Sequence, residues 1–119
     1  MSTLNGRGSL AVEAHTAGDT LTTDESGTWH TNTGASGAIT FALPVATVGL
    51  RYGFAVGAAQ ELRIDPNGTQ TISLPSSGVA GAAGKYLSAD AIGENVEIAC
   101  LIAGNWSVLH STGTWTAEG

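Results

Sequence analysis

Cysteine is almost missing from this chain: Cys100 stands alone, so no internal disulfide framework can be built. Basic residues are nearly as scarce, four Lys and Arg against ten Asp and Glu for a net charge of −6. The four, Arg7, Arg51, Arg63 and Lys85, are scattered. A polyanion needs clustered cations, so nucleic acid is not an expected partner. No apolar run reaches the ~18 residues of a membrane-spanning helix, and no membrane partner is expected. The opening Met-Ser-Thr-Leu-Asn-Gly-Arg-Gly-Ser-Leu lacks the unbroken apolar core of a secretion signal. The expected place of synthesis is therefore a cytoplasm. Helical periodicity is also missing from every window of about eleven residues.

What is present is glycine, seventeen residues of 119, with 42% apolar content, too much for intrinsic disorder and enough for one domain with one core. The organising stretch is Gly37 to Ser73. In it Ile39, Phe41 and Leu43 share one face, Tyr52, Phe54 and Val56 the next, and Leu62 and Ile64 a third. This period of two is that of half-buried strands, and the Pro and Gly between the runs predict a series of hairpins. Asp65-Pro66-Asn67-Gly68 has the residue order of a type I turn.

Around this stretch the rest of the chain reads as the completion of a sheet. Residues 1–18, with Leu4, Leu10 and Val12, read as a strand-like N-terminal arm that orders against a partner, and His15 at its end as a solvated residue. Residues 19–119 form the domain. Thr20 to Thr23 and Thr28 to Thr33 are short strands on either side of a polar Asp24–Gly27 turn. Pro75 to Gly84 is an exposed loop in which Val79 alone is bulky. Val96, Ile98, Cys100 and Ile102 face inward on a long strand, with Glu97 and Ala99 outward. Gly104-Asn105 turns the chain so that Trp106, Val108 and His110 return beside it. The expected fold is all-β: an antiparallel β-sandwich or jelly-roll-like barrel of about seven to nine short strands with an N-terminal arm.

No catalytic constellation emerges. Asp24, Glu25 and Asp65 lie in turns, where solvated acids are ordinary, and Glu97 is on an outer face. Cys100 sits mid-strand as a small buried hydrophobe, although a pairing with His30 or His110 is conceivable on paper. His30 and His110 could meet across a sheet, yet two imidazoles without a third ligand make a poor zinc set. Gly78, Gly81 and Gly84 imitate a phosphate loop without its Lys-Ser/Thr or following helix. Trp29, Trp106 and Trp115 could bind sugar only if exposed together on one face. No enzyme, no cofactor and no metal are expected.

The order of segments carries a resemblance. Leu-Thr-Thr-Asp-Glu-Ser-Gly precedes a strand ending Ala-Leu-Pro, followed by Gly-Leu-Arg-Tyr-Gly-Phe-Ala-Val, Leu-Arg-Ile-Asp-Pro-Asn-Gly, Gly-Glu-Asn-Val-Glu-Ile, Asn-Trp-Ser-Val and Gly-Thr-Trp. Over residues 19–116 this resembles the small all-β structural proteins of tailed bacteriophages, found as capsid decoration (cement) proteins and as tail-fibre modules. The resemblance implies a homotrimer on the outer capsid surface, bridging major capsid protein subunits and stabilising the mature head without a cofactor. Leu4, Leu10, Val12 and Val79 would then be partner contacts. A tail-fibre module touching host glycans is the alternative reading, and a cytosolic β-sandwich binding module the second.

Overall fold

The structure, a computed structural model, describes residues 10–119. It is an all-β sandwich of eleven short strands, with one 3-10 turn at Thr23–Glu25. In chain order the strands are β1 Val12–Ala14, β2 Asp19–Thr20, β3 Trp29–Thr31, β4 Ile39–Ala42, β5 Arg51–Ala55 and β6 Leu62–Asp65. There follow β7 Thr71–Ile72, β8 Leu87–Ala89, β9 Asn95–Ile102, β10 Asn105–Thr112 and β11 Thr116–Ala117. One sheet runs β1-β3-β5-β9-β10-β7 and the other β11-β8-β6-β4-β2. No helix among the described residues is long and apolar enough to cross a membrane.

The predicted hairpins through Gly37 to Ser73 do not form. Up to β9, each connection carries the chain to the opposite sheet, so consecutive strands face one another across the core instead of pairing. From β1 to β6, a strand that returns to its own sheet after two crossings runs parallel to the earlier one. β1, β3 and β5 are therefore parallel neighbours, as are β2, β4 and β6. Antiparallel pairing enters later, through β5–β9, β6–β8, β8–β11 and the β9–β10 hairpin. The sheets are thus mixed, not purely antiparallel. The turn after β6 closes at Gln70 N–H to Asn67 O (3.0 Å), two residues later than predicted, and leads into the other sheet.

The predicted inward faces do form the core. Ile39, Phe41 and Leu43, Tyr52, Phe54 and Val56, and Leu62 and Ile64 are all buried, joined by Val96, Ile98, Cys100 and Trp106. Ile102 departs from the pattern, being 69% exposed at the end of β9. The β9–β10 hairpin turns at Gly104, whose φ of 87° an L side chain adopts only with strain. Between Val108 and His110 the register with β9 slips: Val108 stands opposite Ile98, and His110, two residues on, opposite Glu97, one residue on. Such a bulge re-aims the strand, so Val108 packs on the core while His110 emerges on the outer face with Glu97.

The arm also needs correction. It is strand at β1, Val12–Ala14, which runs parallel to β3 in the protein's own sheet, with Trp29 N–H bonding Ala11 O and His15 N–H bonding Thr31 O, both at 2.8 Å. Residues 11–15 therefore order against the protein's own sheet. The loop from Pro75 to Gly84 is tied down by Leu74 N–H to Val79 O, Gly81 N–H to Ile72 O and Gly84 N–H to Gln70 O.

Candidate functional site

Alternation along paired strands sorts side chains into rows on each sheet face. Glu13 of β1 is the register partner of His30 of β3, which is in turn the partner of Phe54. This row faces inward, and His15, two residues beyond Glu13 and just past the end of β1, lies on the same side. His15 Nε2 comes within 3.0 Å of His30 Nδ1. Glu13 Oε1 is 3.4 Å from His15 Nε2 and 3.7 Å from His30 Nδ1. His15 Nδ1 looks toward Asp19 Oδ2 of β2, at 4.0 Å, so the cluster bridges the edges of both sheets.

Below the imidazoles lie aromatic rings. His15 meets Phe41 edge-on with centroids 4.9 Å apart, and His30 packs against Phe41 and Phe54. His30 is fully buried, His15 keeps 14% of its side chain exposed and Glu13 52%. The cluster therefore has a dry floor and one wet side. Burial, reinforced by the neighbouring His15, holds the pKa of His30 below the ordinary histidine range against the pull of Glu13, Glu25 and Asp19. A neutral buried imidazole, a second imidazole and a carboxylate can share a proton or hold a cation.

His15 is thus neither solvated nor isolated from other histidines and acids. Glu13 was never singled out from sequence. The available signal was its spacing: two residues apart on a strand, Glu13 and His15 must share a face. What sequence could not supply was the parallel pairing that brings in His30.

The opposite face of the same sheet carries a second row: Val12, Trp29, Gly53, Glu97 and His110 are successive register partners across β1, β3, β5, β9 and β10. With no side chain at Gly53, the Trp29 indole lies over its backbone; a Cβ there would stand 2.1 Å from the ring. The indole stacks near His110, centroids 6.3 Å apart and 24° between planes. Glu97 faces outward as expected but is covered. It accepts hydrogen bonds from Arg51 Nε (2.9 Å) and Nη2, and pairs with His110 Nε2 (2.9 Å). Burial alone would raise its pKa; the bonds and charges of Arg51 and His110 outweigh this and hold it below the usual carboxylate range. The triad is closed on itself, with both carboxylate oxygens engaged.

His30 and His110 do not meet, since they point to opposite faces of the sheet. Cys100 is buried and its thiol donates to Ile102 O at 3.3 Å, not to an imidazole. Trp106 is fully buried and Trp115 nearly so, its Nε1–H donating to Asn95 O, which leaves Trp29 alone partly open. Of the expected contact residues, Leu10 (65%), Val12 (58%) and Val79 (62%) are exposed, and Leu4 lies outside the described residues. An open groove of about 350 Å³ borders Glu61, Asp90 and Glu94. Glu94 is already spent there, accepting from the N–H groups of Asp90, Ala91 and Thr114. Comparison with models of known protein families finds no match, and no curated protein matches the chain.

Proposed function

We propose that the protein is a virion structural component, a capsid decoration protein that docks on the outer shell through its β1 edge and stabilises the mature head as a homotrimer. The observation that carries this reading is the edge itself. β1 ends its sheet, pairs on one side only among the described residues, and presents Leu10 and Val12 to solvent on a surface otherwise rich in Ser, Thr, Gly and Ala. An open strand edge flanked by aliphatic side chains is suited to strand addition by, or apolar contact with, another protein. A second group of exposed aliphatics, Val45, Val48, Leu101 and Ile102, gathers around the β9–β10 turn. There Gly49 N–H bonds Cys100 O and Gly104 N–H bonds Ala46 O. Binding only the mature shell would stabilise it by mass action.

The tail-fibre alternative takes the Pro75 to Gly84 loop and the tryptophans as its glycan-contact surface; Val79 of that loop is exposed, but two of the three tryptophans are interior. The test is the copy number of this chain per major capsid protein in purified virions, by quantitative mass spectrometry. A ratio near one, or a simple fraction of it, is the expected result. A few tens of copies or fewer per particle would move the protein to the tail, and absence from the particle would overturn the proposal. Contact residues are tested with Leu10→Lys and Val12→Lys, since removing residues 1–18 would also remove β1. The double variant should keep its fold and lose shell binding.

A further inference from the structure

We propose that Glu13, His15 and His30 form a divalent transition-metal site, zinc by ligand chemistry, that clamps strand β1 onto strand β3. Separations of 3.0, 3.4 and 3.7 Å between the donor atoms are close to the edges of a coordination tetrahedron. The nearest point equidistant from all three lies in their plane about 2.0 Å from each, and a point displaced from that plane toward a fourth ligand lies about 2.1 Å from each, within the bond lengths zinc makes to imidazole nitrogen and carboxylate oxygen.

The tautomer of His30 is fixed by its surroundings. Thr28 Oγ1 donates its single proton to Glu25 O at 2.6 Å, so toward His30 Nε2, 2.7 Å away, it can only accept. His30 therefore carries its proton on Nε2 and offers a bare lone pair at Nδ1, toward His15 and Glu13. A ligating histidine is ordinarily held this way, its second nitrogen donating to an outer group that fixes tautomer and ring orientation. Asp19, 4.0 Å from His15 Nδ1, is placed to do the same for the other imidazole. Two nitrogens and one oxygen suit zinc, whereas calcium and magnesium take oxygen ligands. The half-exposed side at Glu13 leaves room for water as a fourth ligand.

The consequence is mechanical. Glu13 belongs to β1, His15 follows it directly and His30 belongs to β3, so an ion held by all three binds only when the strands are paired and stabilises that pairing by mass action. The inference stands independently of the capsid reading.

The test uses the untagged full chain, stripped with a chelator and desalted. Zn2+ is titrated against a chromophoric competitor, and Co2+ is followed by its visible d–d absorption. One ion per chain is expected, with the strong absorption of a tetrahedral site. His15→Gln should weaken Zn2+ binding by more than about 100-fold, and Thr28→Val, which removes the outer-shell acceptor, by about 10-fold. His110→Gln, on the opposite face, should leave it unchanged. Glu13→Gln, at an exposed position, decides the matter if His15→Gln fails to fold; it should weaken binding at least about 10-fold. Three results would overturn the proposal: no stoichiometric Zn2+ binding at micromolar concentrations, undiminished binding by Glu13→Gln, or loss of binding in His110→Gln. The first would leave the histidines as a hydrogen-bonded pair only.

Discussion

Asn32, the residue after β3, is fully buried and has all four of its amide's hydrogen-bonding positions filled. Its Oδ1 accepts from the N–H groups of Gly57 (2.8 Å) and Ala58 (3.0 Å), and its Nδ2 donates to Ala58 O (3.3 Å) and Gln60 O (3.1 Å). One side chain thus holds the whole 57–60 segment, which no strand of either sheet pairs with. Asn32→Ala removes four neutral bonds at about 1 kcal/mol net each, a loss of about 4 kcal/mol. With a urea slope of about 2 kcal/mol/M, the unfolding midpoint should fall by about 2 M. Asn32→Asp separates the two halves of the amide. It keeps both accepted bonds but turns an oxygen toward two carbonyl oxygens, so the carboxyl must stay protonated in the fold and its folded pKa rises above the unfolded value. Its stability is then greatest below about pH 3.9, the ordinary Asp pKa, and is lost as pH rises through the folded pKa. Urea titrations of the three proteins across pH 3 to 7, followed by circular dichroism, check both points. An Asn32→Ala loss under about 1 kcal/mol, or an Asn32→Asp gap to wild type that does not widen with pH, would refute the reasoning.

Two further substitutions probe the outer row. Gly53→Ala places a Cβ 2.1 Å from the Trp29 ring, so the indole must leave the sheet; a loss of about 1–3 kcal/mol and red-shifted tryptophan emission are expected, and an unchanged spectrum would contradict the packing. Glu97 has its folded pKa depressed, so its stabilising contribution is present above the unfolded Glu value and is lost as pH falls through the folded one. Glu97→Gln should therefore be less stable than wild type at pH 7, with the gap closing toward pH 3. A gap constant over that range would show that the ion triad is not its source.

Which residues face inward was legible in the sequence, because alternation alone decides it: Ile39 with Phe41, Tyr52 with Phe54, and Val96 with Ile98 and Cys100 are core on that ground. Which strands become neighbours was not legible. A period of two assigns faces but is silent about partners, and the same pattern fits a hairpin or a crossing to the opposite sheet. The β9–β10 hairpin was readable because it is local, although it turns at Ala103-Gly104, one residue before the expected Gly104-Asn105, whereas the β4–β6 and β1–β3 pairings depend on where the chain lands after two crossings. The bulge before His110 breaks alternation without a residue that announces it, so Val108 and His110 part company. His15 was misjudged for a related reason: its partner is fifteen residues away and becomes a neighbour only through parallel pairing.

β1 poses an energetic question that the His–Glu cluster answers. The strand has three residues, none of them buried. Ordering each residue costs about 1–2 kcal/mol of backbone entropy, while a ladder hydrogen bond returns about 1 kcal/mol net. With so little burial to add, the ladder alone is at best balanced, so side-chain contacts must decide whether β1 stays on the sheet. Outward, Val12 is the register partner of Trp29; inward, Glu13 and His15 meet His30. The adjacent residues Trp29 and His30 thus receive the edge strand from opposite faces of β3. A cation drawing Glu13 and His15 onto His30 would shift that balance toward the paired strand, and the same pairing sets how Leu10 and Val12 are presented to a partner. The inner cluster and the exposed edge are therefore coupled through β1, although they share no side chain.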